Sequence, residues 1–163
     1  QEIMAPILNQ YEGKIKYSSL KLERSFDFGK WTLHNTIIYQ MINQNEDILN
    51  LPQFMSRNTL FFSERIFRNT LAIQTGLNFK IFSKYYANEY NPLISDFHIQ
   101  NQKKIGSFPI FDFFFNAKIR QTKIFIIAEH INSSFTGNNF YSTPESVYRD
   151  FGVRFGFKWN LFN

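Results

Sequence analysis

Residues 148–163 read YRDFGVRFGFKWNLFN, and their alternation decides the fold. Phe151, Val153, Phe155, Phe157, Trp159 and Leu161 fall on one face of an extended chain, with Asp150, Gly152, Arg154, Gly156, Lys158 and Asn160 on the other. A side-chain period of two makes this a β-strand with one apolar and one wet face. A soluble sheet would pack the apolar face on a core, but the same pattern recurs through a chain without core-only segments. The combination predicts an all-β, antiparallel transmembrane β-barrel, apolar toward lipid and polar toward an aqueous lumen. Gly156, Trp159, Leu161 and Phe162 also fit the C-terminal signal, glycine then spaced hydrophobes, read by outer-membrane barrel assembly machinery. The chain ends at Asn163, one residue past that last aromatic.

Composition agrees. Of 163 residues, 19% are aromatic and 21 are Phe, a density that has to be spent on a large apolar surface. Yet mean hydropathy is −0.30, and no run of roughly 18 apolar residues is present to span as a helix. Apolar surface without an apolar run means alternation. A soluble β-sandwich is the lesser alternative. The absence of cysteine excludes disulfides and thiolate metal sites. The net charge of +5 is spread along strands and loops without a like-charge block, so no nucleic-acid partner is expected. The first residues carry no leader profile, so an exported chain is expected to have lost its leader or to be part of a longer one.

The clearest hairpin spans residues 18–42. Leu20, Leu22, Phe26 and Phe28 lead into a Gly29-Lys30 turn, and Trp31, Leu33, Ile37, Tyr39 and Met41 lead out. A second pair is predicted over 57–66 and 70–85, with the facing of the first strand obscured by consecutive Leu60, Phe61 and Phe62. A third runs over 108–119 and 123–132, and residues 131–147 form a loop before the terminal strand. Short turns alternate with long loops near Asn45, Asn91 and Asn138, as periplasmic and extracellular ends do in outer-membrane barrels. The C-terminus is therefore expected in the periplasm and the long loops outside. The count is seven strands, an odd number that leaves an edge lipid cannot solvate. Either residues 2–9 add an eighth strand despite Pro6, or the chain is the C-terminal part of a larger barrel. No separate soluble domain is expected within residues 1–163.

Four stretches carry a family resemblance: WTLHNTIIYQ at 31–40 with ILNLP after it, the block at 85–114, KIFIIAEHIN at 123–132 and RFGFKWNLFN at 154–163. The most specific part is the ordered set Tyr90, Asn91, Pro92, Phe97, Gln100, Gly106, Pro109, Asp112 and Phe113. In these the chain resembles the putative porin family of Bacteroidota outer membranes. Members are considerably longer, so the resemblance implies the C-terminal portion of a large barrel, and it brings no mapped substrate site.

Chemistry beyond a pore finds little support. His34, His98 and His130 lie far apart, without cysteine or H-E-x-x-H spacing, so neither metal nor cofactor is expected. Glu129, His130, Ser133 and Ser134 lack a nucleophile setting, and the chain is not expected to be an enzyme. Asn132-Ser133-Ser134 is a chance glycosylation match, and RDFGVRFGF echoes an RNA-binding motif but has Asp150 where that motif has Gly. Phe28, Trp31 and Trp159 fall near the predicted periplasmic ends, and Tyr39, Tyr85 and Tyr148 near the outer ends, as aromatic girdles do.

The function expected is an outer-membrane porin passing small hydrophilic solutes. Its lumen is mildly cationic: Lys21, Lys80, Lys84, Lys118, Arg154 and Lys158 face inward with Glu23, Asp27, Asp112 and Asp150, giving a slight anion preference. The alternative is a small structural or adhesive barrel with working loops and a filled lumen, for which Phe114, Phe125 and Ile127 would supply filling. One flaw interrupts the lipid face. The Gly29-Lys30 turn sets Arg24 opposite Asn35, a polar pair that is accommodated either by a β-bulge or snorkelling toward an interface, or by contact with a partner protein, a second copy or more of its own chain.

Overall fold

The computed structural model describes residues 12–136 and 140–160, and among them there is no helix. Seven long strands carry the fold: β1 (Lys16–Phe28), β2 (Trp31–Asn43), β3 (Phe54–Ile66), β4 (Leu71–Phe82), β9 (Ile110–Ile119), β10 (Thr122–Glu129) and β11 (Gly152–Trp159). Four short ones, β5 (Tyr85–Tyr86), β6 (Glu89–Asn91), β7 (Asp96–His98) and β8 (Lys104–Ile105), lie between β4 and β9. The long strands form one antiparallel meander in the order β1-β2-β3-β4-β9-β10-β11. At ~3.3 Å per residue, the 13 residues of β1, β2 or β3 run about 43 Å, enough to cross a ~30 Å hydrocarbon layer at a tilt.

The first hairpin has the expected register, with Phe28 opposite Trp31, Phe26 opposite Leu33 and Arg24 opposite Asn35. Gly29 makes its turn possible at φ 66°, a left-handed conformation that costs glycine little. The β3–β4 turn instead places Phe67, Arg68 and Asn69 at φ 51°, 54° and 68°. The register of β3 also settles its facing: Leu60 and Phe62 share one face with Trp31 and Leu33, and Phe61 lies on the other opposite Thr32.

Among the described residues no second layer covers the sheet, and the long strands touch only their neighbours in it. Leu20 and Leu22 are 59% and 58% exposed, and Phe155 and Phe157 81% and 75%. A sandwich buries such a face, so that alternative falls. The sheet is open: among the described residues β1 and β11 each pair on one side only. The barrel predicted from sequence is thus seen as seven antiparallel strands without closure, and the candidate eighth strand at 2–9 lies outside the described residues.

Buried apolar packing is concentrated at the long-loop end, where Phe108, Ile110 and Phe140 cluster with Phe82 and Tyr148. The segment between β4 and β9 is more structured than a plain loop. The β5–β8 ladder forms its stem and the β6–β7 ladder its tip. Gln100 ties the segment together, donating to the carbonyls of Ala87 and Lys103 and accepting from the amides of Gln102 and Lys103. Gly106 at φ 106° passes the Ser83 carbonyl so closely that a Cβ would lie 2.7 Å from it. Tyr90 packs on Phe97 with tilted rings, centroids 5.2 Å apart. Much of the ordered set that carried the family resemblance therefore shapes this segment.

Candidate functional site: the polar face of the sheet

Cross-strand register assigns every strand residue to one of two faces, because directly paired residues point the same way. On the polar face, Asp27, Thr32, Phe61, Gly76, Phe114, Ile127 and Arg154 form one rung across all seven strands. The same phase puts Lys21, Glu23, Lys80, Asp112, Lys118 and Lys158 on this face. Arg57, Arg65, Lys123 and Glu129 join them. Two residues of the predicted inward set lie outside the strands: Lys84 just past the end of β4 and Asp150 just before β11, both exposed. Lys84 nevertheless lines a hollow of about 310 Å³ with Gln40, Ile42 and Tyr86 on the polar side.

Charges on this face are mostly paired toward the long-loop end. Asp112 is buried; its Oδ2 accepts from Lys80 Nζ at 2.6 Å and its Oδ1 from the His130 amide at 3.0 Å. His130 is fully buried at φ 52°, with Nδ1 2.8 Å from the Arg149 carbonyl and its ring edge-on to Phe140 and Tyr148. Glu129 accepts from Arg149 at 2.7 Å and from Arg154 at 2.6 Å, so its carboxylate is turned to two guanidinium groups and not to the histidine ring. Glu23 pairs with Lys21 at 2.6 Å and lies 3.3 Å from His34. Asn132, the residue of the glycosylation match, clamps the strand end, accepting from the Phe111 amide and donating to the Pro109 carbonyl. No group of three or more His, Asp or Glu side chains forms a metal-binding cluster among the described residues.

Toward the short-turn end the pattern changes. Arg65, Ala72, Lys118, Lys123 and Lys158 form a single rung. They line a concavity of about 730 Å³ together with Ser63, Gln74, Asn116 and Phe125. At its inner edge Phe125 and Ile127, which also line it, continue into Phe61 and Phe114 as an apolar belt beside two glycines. A Cβ on Gly76 would lie 2.3 Å from the Leu60 carbonyl oxygen, and one on Gly156 2.7 Å from the Phe125 ring.

The opposite face is mostly apolar, with one polar lane near mid-span and Glu64 near the short-turn rim. Asn58 lies opposite Asn35, which lies opposite Arg24, and Asn58 donates to Ser56 at 2.9 Å. Arg24 rests 4.9 Å from the Phe26 ring centroid. Trp31 and Phe62 pack with tilted rings, centroids 5.4 Å apart, near the short-turn rim, where Lys30 also pairs with Glu64. Tyr39 sits near the other rim of this face, opposite Phe54. Tyr85 and Tyr148 depart from the predicted girdle: Tyr85 packs on Phe82 and Tyr148 on Phe108, within the loop cluster.

Among the described residues the protein presents one open antiparallel sheet, mostly apolar and exposed on one side and charged on the other. A family model described as putative porin matches residues 2–163. The chain belongs to the putative porin family. Membership implies an outer-membrane location. No curated protein and no solved structure matches this porin-family chain.

Sequence reasoning placed part of the polar face and missed Arg57, Arg65, Lys123 and Glu129. The run of Leu60, Phe61 and Phe62 hid the phase of β3. For Lys123, phase counted through the two-residue turn at 120–121 was the available signal, since it pairs Lys118 with Lys123. Of the proposed assembly signal, Gly156 and Trp159 lie on β11, and Leu161 and Phe162 lie outside the described residues.

Proposed function

We propose that this chain is wall and lining of an outer-membrane porin, a passive aqueous path for small hydrophilic solutes with a slight anion preference. The carrying observation is the two-faced single-layer sheet: its exposed apolar side suits lipid and its charged side suits water. Among the described residues the outer edges of β1 and β11 are unpaired, and in lipid, where backbone groups have no water to bond, they require partners, so the working form on this reading is a closed barrel with further strands. The reading places the short turns and C-terminus in the periplasm and the long loops outside. It assigns Gly156, Trp159, Leu161 and Phe162 to the assembly machinery, and the lane of Arg24 and Asn35, extended by Asn58, to a protein neighbour or second copy. It requires no catalytic residue and no cofactor.

The anion preference rests on the excess of polar-face cations, Arg57, Arg65 and Lys123 included, over Glu23, Asp27, Asp112 and Glu129. In a confined path fixed charge raises the local concentration of counter-ions within about 8 Å at physiological salt. Planar bilayers holding the purified protein should show stepwise conductance and a reversal potential of anion-selective sign in a salt gradient. Absence of conductance would favour the second reading, a structural or adhesive barrel with a filled lumen. That reading draws on Phe61, Phe114, Phe125 and Ile127 crowding the polar face.

A further inference from the structure

The rung of Arg65, Lys118, Lys123 and Lys158 is unusual in its charge pattern. Lys118 faces Lys123 directly, and Lys123 faces Lys158, on strands that lie ~4.8 Å apart. Like charges placed directly opposite across a ladder are destabilising. On this sheet the arrangement has no internal relief, because none of the four makes an ion pair or side-chain hydrogen bond among the described residues. Glu64 is the carboxylate residue among those lining the hollow, but by register its side chain belongs to the opposite face, where it holds Lys30. Asp27 and Glu129 stand on other rungs and are engaged by Thr32, Arg149 and Arg154. Ala72, between Arg65 and Lys118, is small enough to leave the space above it open.

The next rung inward supplies neutral groups. Ser63, Gln74 and Asn116 are paired in register there, with Phe125 beyond them. All line the same concavity of about 730 Å³ as the four cations. A hollow with cations on its floor, hydroxyl and amide donors on its flank and no free carboxylate is matched chemically to a small multivalent oxyanion. Lysine point charges hold such an ion without fixing its orientation, which suits a station on a path that must also release it.

We propose that this rung is a binding station for phosphate-class oxyanions at the short-turn mouth of the path. The inference rests on the polar face being water-filled, as in the porin reading, and names the solute class that the reading leaves open. A free oxyanion and the phosphate of a lipid headgroup share this chemistry, and we assign the site to the free ion.

The test uses the purified protein in two formats. In planar bilayers, inorganic phosphate added on the short-turn side should reduce the chloride current saturably. The K118Q/K123Q/K158Q variant should raise the half-effective phosphate concentration at least about tenfold, a loss of roughly 1.4 kcal/mol, and K118R/K123R/K158R should stay close to the parent. In detergent, phosphorus NMR line broadening of inorganic phosphate should follow the same order, which reads the site without any current. Broadening that the Gln variant abolishes, in a protein with no conductance, would uphold the station and sink the pore. Conductance with no phosphate effect and no broadening would overturn the station alone. Competition by dihexanoyl phosphatidic acid but not by inorganic phosphate would overturn it in favour of a lipid site.

Discussion

Replacing Asp112 tests how the long loop before β11 is latched to the sheet. Its carboxylate bonds the amide of His130, a fully buried residue, and Lys80, whose side chain is 41% exposed. In Asp112→Ala the His130 amide loses a charge-assisted bond and has no water to replace it, worth ~1.5–3 kcal/mol. Lys80 swings into solvent, so its half-screened ion pair adds only ~0–1 kcal/mol. The sum is ~1.5–4 kcal/mol. Asp112→Asn keeps an oxygen for the amide but turns an NH₂ group toward Lys80, and the cost should be ~1–2 kcal/mol. Urea unfolding of the refolded protein, followed by heat-modifiable gel mobility, gives both values. Equal losses for the two variants would refute the reasoning, because they would make the charge pair, and not the buried amide, the source of the stability.

Four further outcomes are expected. Gly76→Ala should be the more damaging of the two glycine changes, by about 1 kcal/mol or more, because its Cβ meets the Leu60 backbone whereas that of Gly156→Ala meets the movable Phe125 ring; unfolding curves that rank them the other way would contradict this. Arg24→Leu should shrink the native oligomer while leaving the folded barrel intact; unchanged size on native gels with raised stability, about 2–4 kcal/mol if the residue had faced the bilayer centre, would show that it faces lipid. Deleting residues 159–163 should block assembly more than it alters conductance, since β11 would lose its end and the signal with it; folded, heat-modifiable protein at normal yield would count against that. Glu145 is held above the usual carboxylate range by its hydrogen bond to Glu89 and by that group's negative charge. A carboxyl raised in the folded state favours that state at low pH and loses the advantage as pH rises through its folded value, so contact between the two long loops should loosen on going from mild acid to neutral pH. Limited proteolysis should cut these loops faster at neutral pH in the parent and show a flatter pH dependence in Glu145→Gln.

The strands were legible because alternation survives in any two-faced sheet, and the first hairpin because Gly29-Lys30 fixes its register. The phase of β3 was not, since Leu60, Phe61 and Phe62 are all apolar and only pairing with β2 shows that Phe61 turns to the polar side. Strand ends were misjudged where loop packing intervenes: β4 stops at Phe82, whose ring joins Phe108, and β11 starts at Gly152, after Arg149 has bonded Glu129. The β5–β8 and β6–β7 ladders escaped because strands of two or three residues are too short to show a period. The rung of four cations needed five strands in register before it existed at all.

Among the described residues each long strand touches only its neighbours in the sheet, so apart from the cluster at the long-loop end there is little shared interior to redesign when the sheet changes size. Its free energy is close to a sum of nearest-neighbour terms, as in a linear array of repeats. Such a wall can grow by duplication of a hairpin, each copy bringing its own lipid side and its own water side, with the remaining strands unaltered. Girth then becomes a quantity that evolution can adjust in steps of two strands.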